Sequence, residues 1–407
     1  HYVDNSGSPA CRDRSSNGSQ SSPWCTIEYG VGRIASGDTL FVKAGVYNEF
    51  LFIDGPAGRP GSPTTIQAFP GDTVIIQGNG PDSGGRVKIA NTSHIIFDGF
   101  TITEFNQGFF VDNSNQIIAQ NLHVHNVGQE AIHVRENSSF VTIQGCLIHD
   151  TRKWKYNGEG IYIGTGSGGP KDNTNNVTIR GNTVYETRDE AIELKAGTYY
   201  CIIEGNTIYN VTTDPDWPST VGAIEINQAT GGEQHWGSNP NHVVRNNTIH
   251  SAKTAIAVDT GALVYNNLIY NISSSYYGIY VHNSDGDDYT RRIYHNTIDV
   301  PSSRAIRTAG GNADVRNNIG PTTTGNLASA SGYFVSRSGR DYHLVSGSAP
   351  VNGGENLTSI VRTDIEGTSR LTSAQPDLGA YEFAGGGGGG GGSSRPNPPV
   401  GLSALAQ

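Results

Sequence analysis

Six pentapeptides recur along the chain: Ala131-Ile-His-Val-Arg135, Gly160-Ile-Tyr-Ile-Gly164, Ala191-Ile-Glu-Leu-Lys195, Ala223-Ile-Glu-Ile-Asn227, Ala255-Ile-Ala-Val-Asp259 and Gly278-Ile-Tyr-Val-His282. In every copy the second and fourth residues are Ile, Leu or Val, while the third and fifth vary and are mostly polar. Strand side chains alternate between faces, so one face of each copy belongs to a core and the other faces outward. The copies lie roughly 23 to 32 residues apart, a period at which repeats stack as the coils of a solenoid. No single copy can bury its apolar face alone, so the copies must stack on one another.

A companion element closes on Asn in the segments ending at Asn182, Asn206, Asn247, Asn267, Asn296 and Asn318. Asn returning at one corner of every coil can hydrogen-bond from coil to coil as a ladder, and Cys146 takes its place in one coil. A β-propeller would need four strands per blade and a longer period. The pattern therefore predicts an all-β, single-stranded parallel β-helix with N- and C-terminal caps.

Charged residues make up 16% of the 407, with 54 Gly and no Met, and no apolar run reaches membrane-spanning length. With no charged-then-apolar leader, the chain reads as an exported one, extracellular or at the cell surface. The net charge of −10 argues against nucleic acid as partner but leaves an anionic polysaccharide open, because a local basic strip matters more than the total. Cys11 and Cys25 flank a Ser/Asn/Gly-rich loop and are expected to form a disulfide stapling the N-terminal cap, whereas Cys146 and Cys201 read as buried thiols.

The opening Ser22-Pro-Trp-Cys-Thr-Ile27, followed by Gly37-Asp-Thr-Leu-Phe-Val42 and Gly45-Val-Tyr47, resembles that of secreted right-handed parallel β-helix proteins of the pectate-lyase-like superfamily. Asp341-Tyr-His-Leu-Val345 and Pro376-Asp-Leu-Gly-Ala-Tyr-Glu382 resemble their closing cap. The resemblance implies an N-terminal cap and first coil over 1–60 and a β-helix with closing cap over 61–383. A Gly-rich linker over 384–395 and a terminal strand, or truncated fibronectin-like start, over 396–407 would follow.

Stacked about 4.8 Å apart, the third positions run Phe110, His133, Tyr162, Glu193, Glu225, Ala257, Tyr280, Arg307. The fifth run Asp112, Arg135, Gly164, Lys195, Asn227, Asp259, His282. His133, Arg135, Tyr162, Glu193 and Lys195 concentrate on three consecutive coils. Just before these strands lie Glu130, Glu159 and Glu190, with Asp189 adjacent. Stacked like charges repel, so this ladder would need either Ca²⁺ on its oxygens or the nearby Arg188, Arg135 and Lys195. Solvated glutamates at a turn are the simpler account. Insertions bearing Trp154, Trp217 and Trp236 would wall the strip and stack on sugar rings, with Glu225, Asn227 and His282 also reaching substrate.

Lyases of this superfamily cleave uronate polymers by β-elimination, and the resemblance implies the same class here. Lys195 would be the base, Arg135 the carboxylate neutraliser, Tyr162 or His133 the proton donor, and Glu193 the group that orients Lys195. The calcium and base motifs of pectate and alginate lyases are not evident, so the resemblance carries the fold and not the site. Two other readings compete. Glu193 and Glu225 could serve as the carboxylate pair of a glycoside hydrolase, or the chain could be a non-catalytic fibre or adhesin subunit that self-associates by exchanging its C-terminal strand.

Overall fold

A computed structural model describes residues 1–151, 158–166, 172–211, 222–227, 241–284, 286–371 and 375–383. Each coil contributes one strand to each of three sheets, as the coil Asn115–Gln120, His123–His125, Ile132–Arg135 illustrates. Among the described residues the first two sheets have twelve strands each and the third ten, and within all three every pairing between neighbouring coils is parallel. This is the parallel β-helix expected, with three strands per coil.

The apolar positions form the core. Ile132, Val134, Ile161, Ile163, Ile192, Leu194, Ile224 and Ile226 are all fully buried, and each such side chain contributes roughly 1.5–3 kcal/mol on leaving water. The first position of the pentapeptide is only ever Gly or Ala, because there the chain bends sharply into the third sheet. A Cβ at Gly160 would lie 2.6 Å from the Ala191 carbonyl oxygen and 2.7 Å from Val184 Cγ1.

The corner between the first and second sheets is two residues long, and its first residue has positive φ: Asn121 53°, Gly145 63°, Gly181 62°, Gly205 64°, Asn246 57°. Asn and Gly tolerate that region best. Its second residue is the ladder. Asn182, Asn206, Asn247, Asn267, Asn296 and Asn318 each donate from Nδ2 to the next Oδ1 at 2.8–3.0 Å, and Asn326 adds a last rung. At the other end the Cys146 backbone N–H donates to Asn182 Oδ1 at 2.9 Å, so the thiol ends the ladder.

Both ends are closed. At the start, Tyr2–Val3 pairs with Thr39–Val42, the helix Ile27–Val31 packs Ile27 and Val31 inward, and Cys11 is bonded to Cys25. Cys146 and Cys201 are free and buried, as expected. At the far end, Phe334–Ser336 and Asp341–Leu344 form the one antiparallel pair of strands among the described residues, and the buried Arg370 donates to Glu382 at 2.5 Å and to Asn266 Oδ1 at 3.0 Å, locking the closing segment onto the coils. The Gly-rich linker and terminal strand expected over 384–407 lie outside the described residues.

Candidate functional site

The outer face of the third sheet carries the expected row in the expected register. Phe110 pairs with His133, His133 with Tyr162, Tyr162 with Glu193, Glu193 with Glu225, Glu225 with Ala257, Ala257 with Tyr280 and Tyr280 with Arg307. Its burial departs from the expectation of an open polar strip. His133, Tyr162, Glu193 and Glu225 retain only 5%, 6%, 2% and 5% exposure. Rings stack along the row, with His133 4.8 Å from Phe110 and 4.5 Å from Tyr162, and long cationic side chains lie across it. The Arg135 guanidinium sits over Phe110 and the Lys195 ammonium 5.2 Å from the Tyr162 ring centre.

Two partly exposed cations on the row, Arg135 and Lys195, are anchored on buried acids. Asp112 accepts from Arg135 Nε at 3.0 Å and Nη2 at 3.2 Å and pairs with Lys88 at 2.5 Å. Burial pushes the Asp112 carboxyl up, but these hydrogen bonds outweigh it and hold the group below its ordinary range. Arg135, expected to neutralise a substrate carboxylate, is thus engaged by Asp112. Lys195 Nζ donates to Glu193 Oε1 at 2.5 Å, and Asn227 Nδ2 donates to the same oxygen at 2.8 Å. Burial alone would lower the Lys195 pKa, yet the charge of Glu193 beside it raises it, so the amine stays charged. A general base needs the opposite shift.

Burial and one hydrogen bond fix His133 as a single neutral tautomer. Its Nε2 lies 2.8 Å from the Gly164 carbonyl oxygen, which can only accept, so Nε2 carries the proton. Nδ1 is then a bare lone pair, buried and without a hydrogen-bond partner. Burial lowers the His133 pKa and keeps the ring neutral, and burial likewise keeps the Tyr162 hydroxyl protonated.

Further along the row, His282 lies between two acids, with Nδ1 3.3 Å from Asp259 and Nε2 3.6 Å from Glu225. Burial lowers the His282 pKa, but the Glu225 and Asp259 carboxylates outweigh it and raise it; Glu225 itself is pushed up by burial.

Glu130, Glu159 and Glu190 stack as expected and all are buried, which removes the reading of solvated glutamates at a turn. The carboxylates that converge are Glu159, Glu190 and Glu193, one oxygen of each within 4.8 Å of the others. Glu193 therefore stands where Glu130 and Asp189 were expected, because strand alternation turns its side chain to the side on which the ladder lies. Burial and the neighbouring Glu193 push Glu159 up to about 8 and, by the same causes, Glu190 well above its ordinary value. Carboxyls raised in this way relieve their mutual repulsion by holding protons or by sharing a cation. Trp154, Trp217 and Trp236 lie outside the described residues.

A second constellation, on the outer face of the second sheet, went unread. His125, His149, Tyr185, Tyr209, His250, Tyr270 and Tyr342 form one continuous stack with ring centres 4.7–5.5 Å apart. His123 joins it from the strand of His125. Burial pushes His123 down to about 4. The signal was available in the His or Tyr that directly follows the Leu-Ile, Thr-Val or Thr-Ile step after each corner residue, as in Cys146-Leu-Ile-His149, Asn182-Thr-Val-Tyr185 and Asn206-Thr-Ile-Tyr209.

The family description of right-handed β-helix regions matches residues 71–171 and 170–326. The chain belongs to this right-handed β-helix family. No curated protein sequence matches it. Among solved structures, a pectate lyase, Pel9A, shares the fold of this β-helix protein at a TM-score of 0.63 and 18% identity, over 94% of this chain and 96% of that one. An alginate lyase from Paenibacillus sp. str. FPU-7 does so at 0.57 and 18%, over 74% and 96%. A glycoside hydrolase does so at 0.60 and 11%, over 81% and 98%. Among the described residues no helix is long and apolar enough to cross a membrane.

Proposed function

We propose that this β-helix protein is a secreted lyase that cleaves an acidic, uronate-containing polysaccharide by β-elimination at His133, Tyr162 and Lys195. The observation that carries the reading is the contiguity of three unlike groups on consecutive coils: a neutral imidazole with a bare Nδ1, a phenol 4.5 Å from it, and an ammonium 5.2 Å from the phenol ring. β-Elimination asks for these three. The ammonium neutralises the uronate carboxylate, the base takes the proton from the carbon beside it, and the acid protonates the departing glycosidic oxygen as the C–O bond breaks and the C=C bond forms. Lys195 takes the first role, since Glu193 holds it charged and a fifth of its side chain is exposed. His133 takes the second and Tyr162 the third, and the imidazolium and phenolate then exchange their proton through solvent. Arg135 and His282, each held by buried acids, extend the row along which an anionic chain would lie. The two lyases that share the fold act, by their names, on pectate and alginate, which supports the substrate class.

Ca²⁺ fits the oxygen-only donor set of Glu159, Glu190 and Glu193, where it would replace the protons these carboxyls hold and add positive charge beside the uronate site. A second reading has its own support: Glu193 and Glu225 face each other on adjacent coils, one bonded to Lys195 and the other pushed up by burial, as a hydrolase pair would be. Product analysis on a panel of polyuronates, with Ca²⁺ and with chelator, separates the two. A rise in ultraviolet absorbance from unsaturated ends supports the lyase, whereas new reducing ends without absorbance support the hydrolase. Neither product from any polymer would turn the reading to a non-catalytic fibre or adhesin.

A further inference from the structure

We propose that His123, His125 and His149, on the outer face of the second sheet, form a binding site for one divalent transition-metal ion, Zn²⁺ being the best fit. The site is separate from the uronate site, which lies on the third sheet. His123 and His125 stand two residues apart on one strand and so share a face. His149 is paired directly with His125 on the next coil. The three rings lie 4.4, 5.0 and 5.2 Å apart centre to centre, and one nitrogen of each lies within 4.8 Å of the others.

Two details point to a ligand. His123 Nε2 and His149 Nε2 share a hydrogen bond at 2.8 Å, so the two nitrogens a metal would bridge already meet, and the ion would take the place of the one proton between them. Bonds of about 2.0–2.1 Å at a tetrahedral angle put ligand nitrogens roughly 3.3 Å apart, so opening this pair by about half an ångström admits zinc. The second detail is Asp150. Its Oδ2 lies 2.9 Å from His149 Nδ1, so that nitrogen donates to it and the Nε2 lone pair is left to the metal, the usual outer-shell arrangement of a zinc-bound histidine. All three histidines are half-buried, which leaves solvent a path to the site. The Tyr185 ring, 4.7 Å from His149, closes one side. Three imidazoles select borderline metals such as zinc, copper and nickel over calcium or magnesium and leave a fourth position for water or a ligand atom.

The test uses the full chain. Titrated with Co²⁺, it should show the intense visible bands of a tetrahedral ion, saturating at one equivalent and displaced by Zn²⁺. Calorimetry with Zn²⁺ should give the same stoichiometry. His123→Ala/His149→Ala should abolish both signals, and Asp150→Asn, which suits the positive φ of 52° there, should weaken zinc by about 10–100-fold. Absence of tetrahedral bands in the unmodified chain overturns the proposal whether or not the variants fold. So does zinc binding of undiminished strength in the double variant, which would put the ion elsewhere.

Discussion

Lys195→Met is the perturbation that separates packing from chemistry at the candidate site. It removes the ammonium 2.5 Å from Glu193 Oε1 and leaves a carboxylate 2% exposed with Asn227 Nδ2 on that oxygen. Breaking one side of a buried pair costs about 3–5 kcal/mol, and the partial exposure of Lys195 places this case near the lower end. Glu193→Gln alone should cost only about 1 kcal/mol, because the Lys195 ammonium can turn to water and the amide keeps an oxygen for Asn227. The double variant Lys195→Met/Glu193→Gln has no orphaned charge and should return to within about 1 kcal/mol of the parent, a coupling of about 3–4 kcal/mol. Denaturant midpoints at constant m measure all four corners of the cycle. Additive single effects would refute the pairing as the reason for the loss. The stable double variant is then the decisive form for activity, since it should fold and yet fail to cleave.

Asn247→Ala should destabilise the β-helix by at least about 2 kcal/mol, read from the denaturant midpoint. It strips hydrogen-bond partners from Asn206, Asn267 and the Ile203 carbonyl inside a fully buried ladder. Cys146→Asn should instead be neutral to within about 1 kcal/mol, because the backbone at 146 already meets Asn182 as the other rungs meet their neighbours. Glu159 has a folded pKa of about 8, raised from 4.5, so the folded chain holds a proton there that the unfolded chain has released. Its contribution to stability is fully present below about pH 4.5 and lost as the pH rises through about 8. Glu159→Gln should flatten the stability profile across that window, and an unchanged slope would contradict the buried-carboxyl account.

The register of the candidate row was legible because strand alternation is strict: once Ile192 and Leu194 are assigned to the core, Glu193 must face out beneath Glu225 and above Tyr162. The Asn ladder was legible for the same reason, as one residue type returning at one corner. What could not be read was how the outward side chains use one another. Arg135 reaches back one coil to Asp112, and Lys195 turns onto Glu193 two residues away, and neither choice leaves a mark in spacing. Those choices bury the row and turn Lys195 from a candidate base into a fixed cation. The glutamate ladder was seen, but its convergence on Glu193 depends on side-chain direction at a bend. The zinc-type histidines were missed because their metal-ligand spacing is split between His-x-His on one coil and a single His on the next.

The most direct test of the central claim is absorbance of the unsaturated product when the intact chain, His133→Ala and the stable Lys195→Met/Glu193→Gln variant are each incubated with the same polyuronate panel. The account predicts a rise on at least one polymer with the intact chain and none with either variant. An equal rise from the double variant, or reducing ends from the intact chain with no absorbance at all, would contradict elimination at His133, Tyr162 and Lys195.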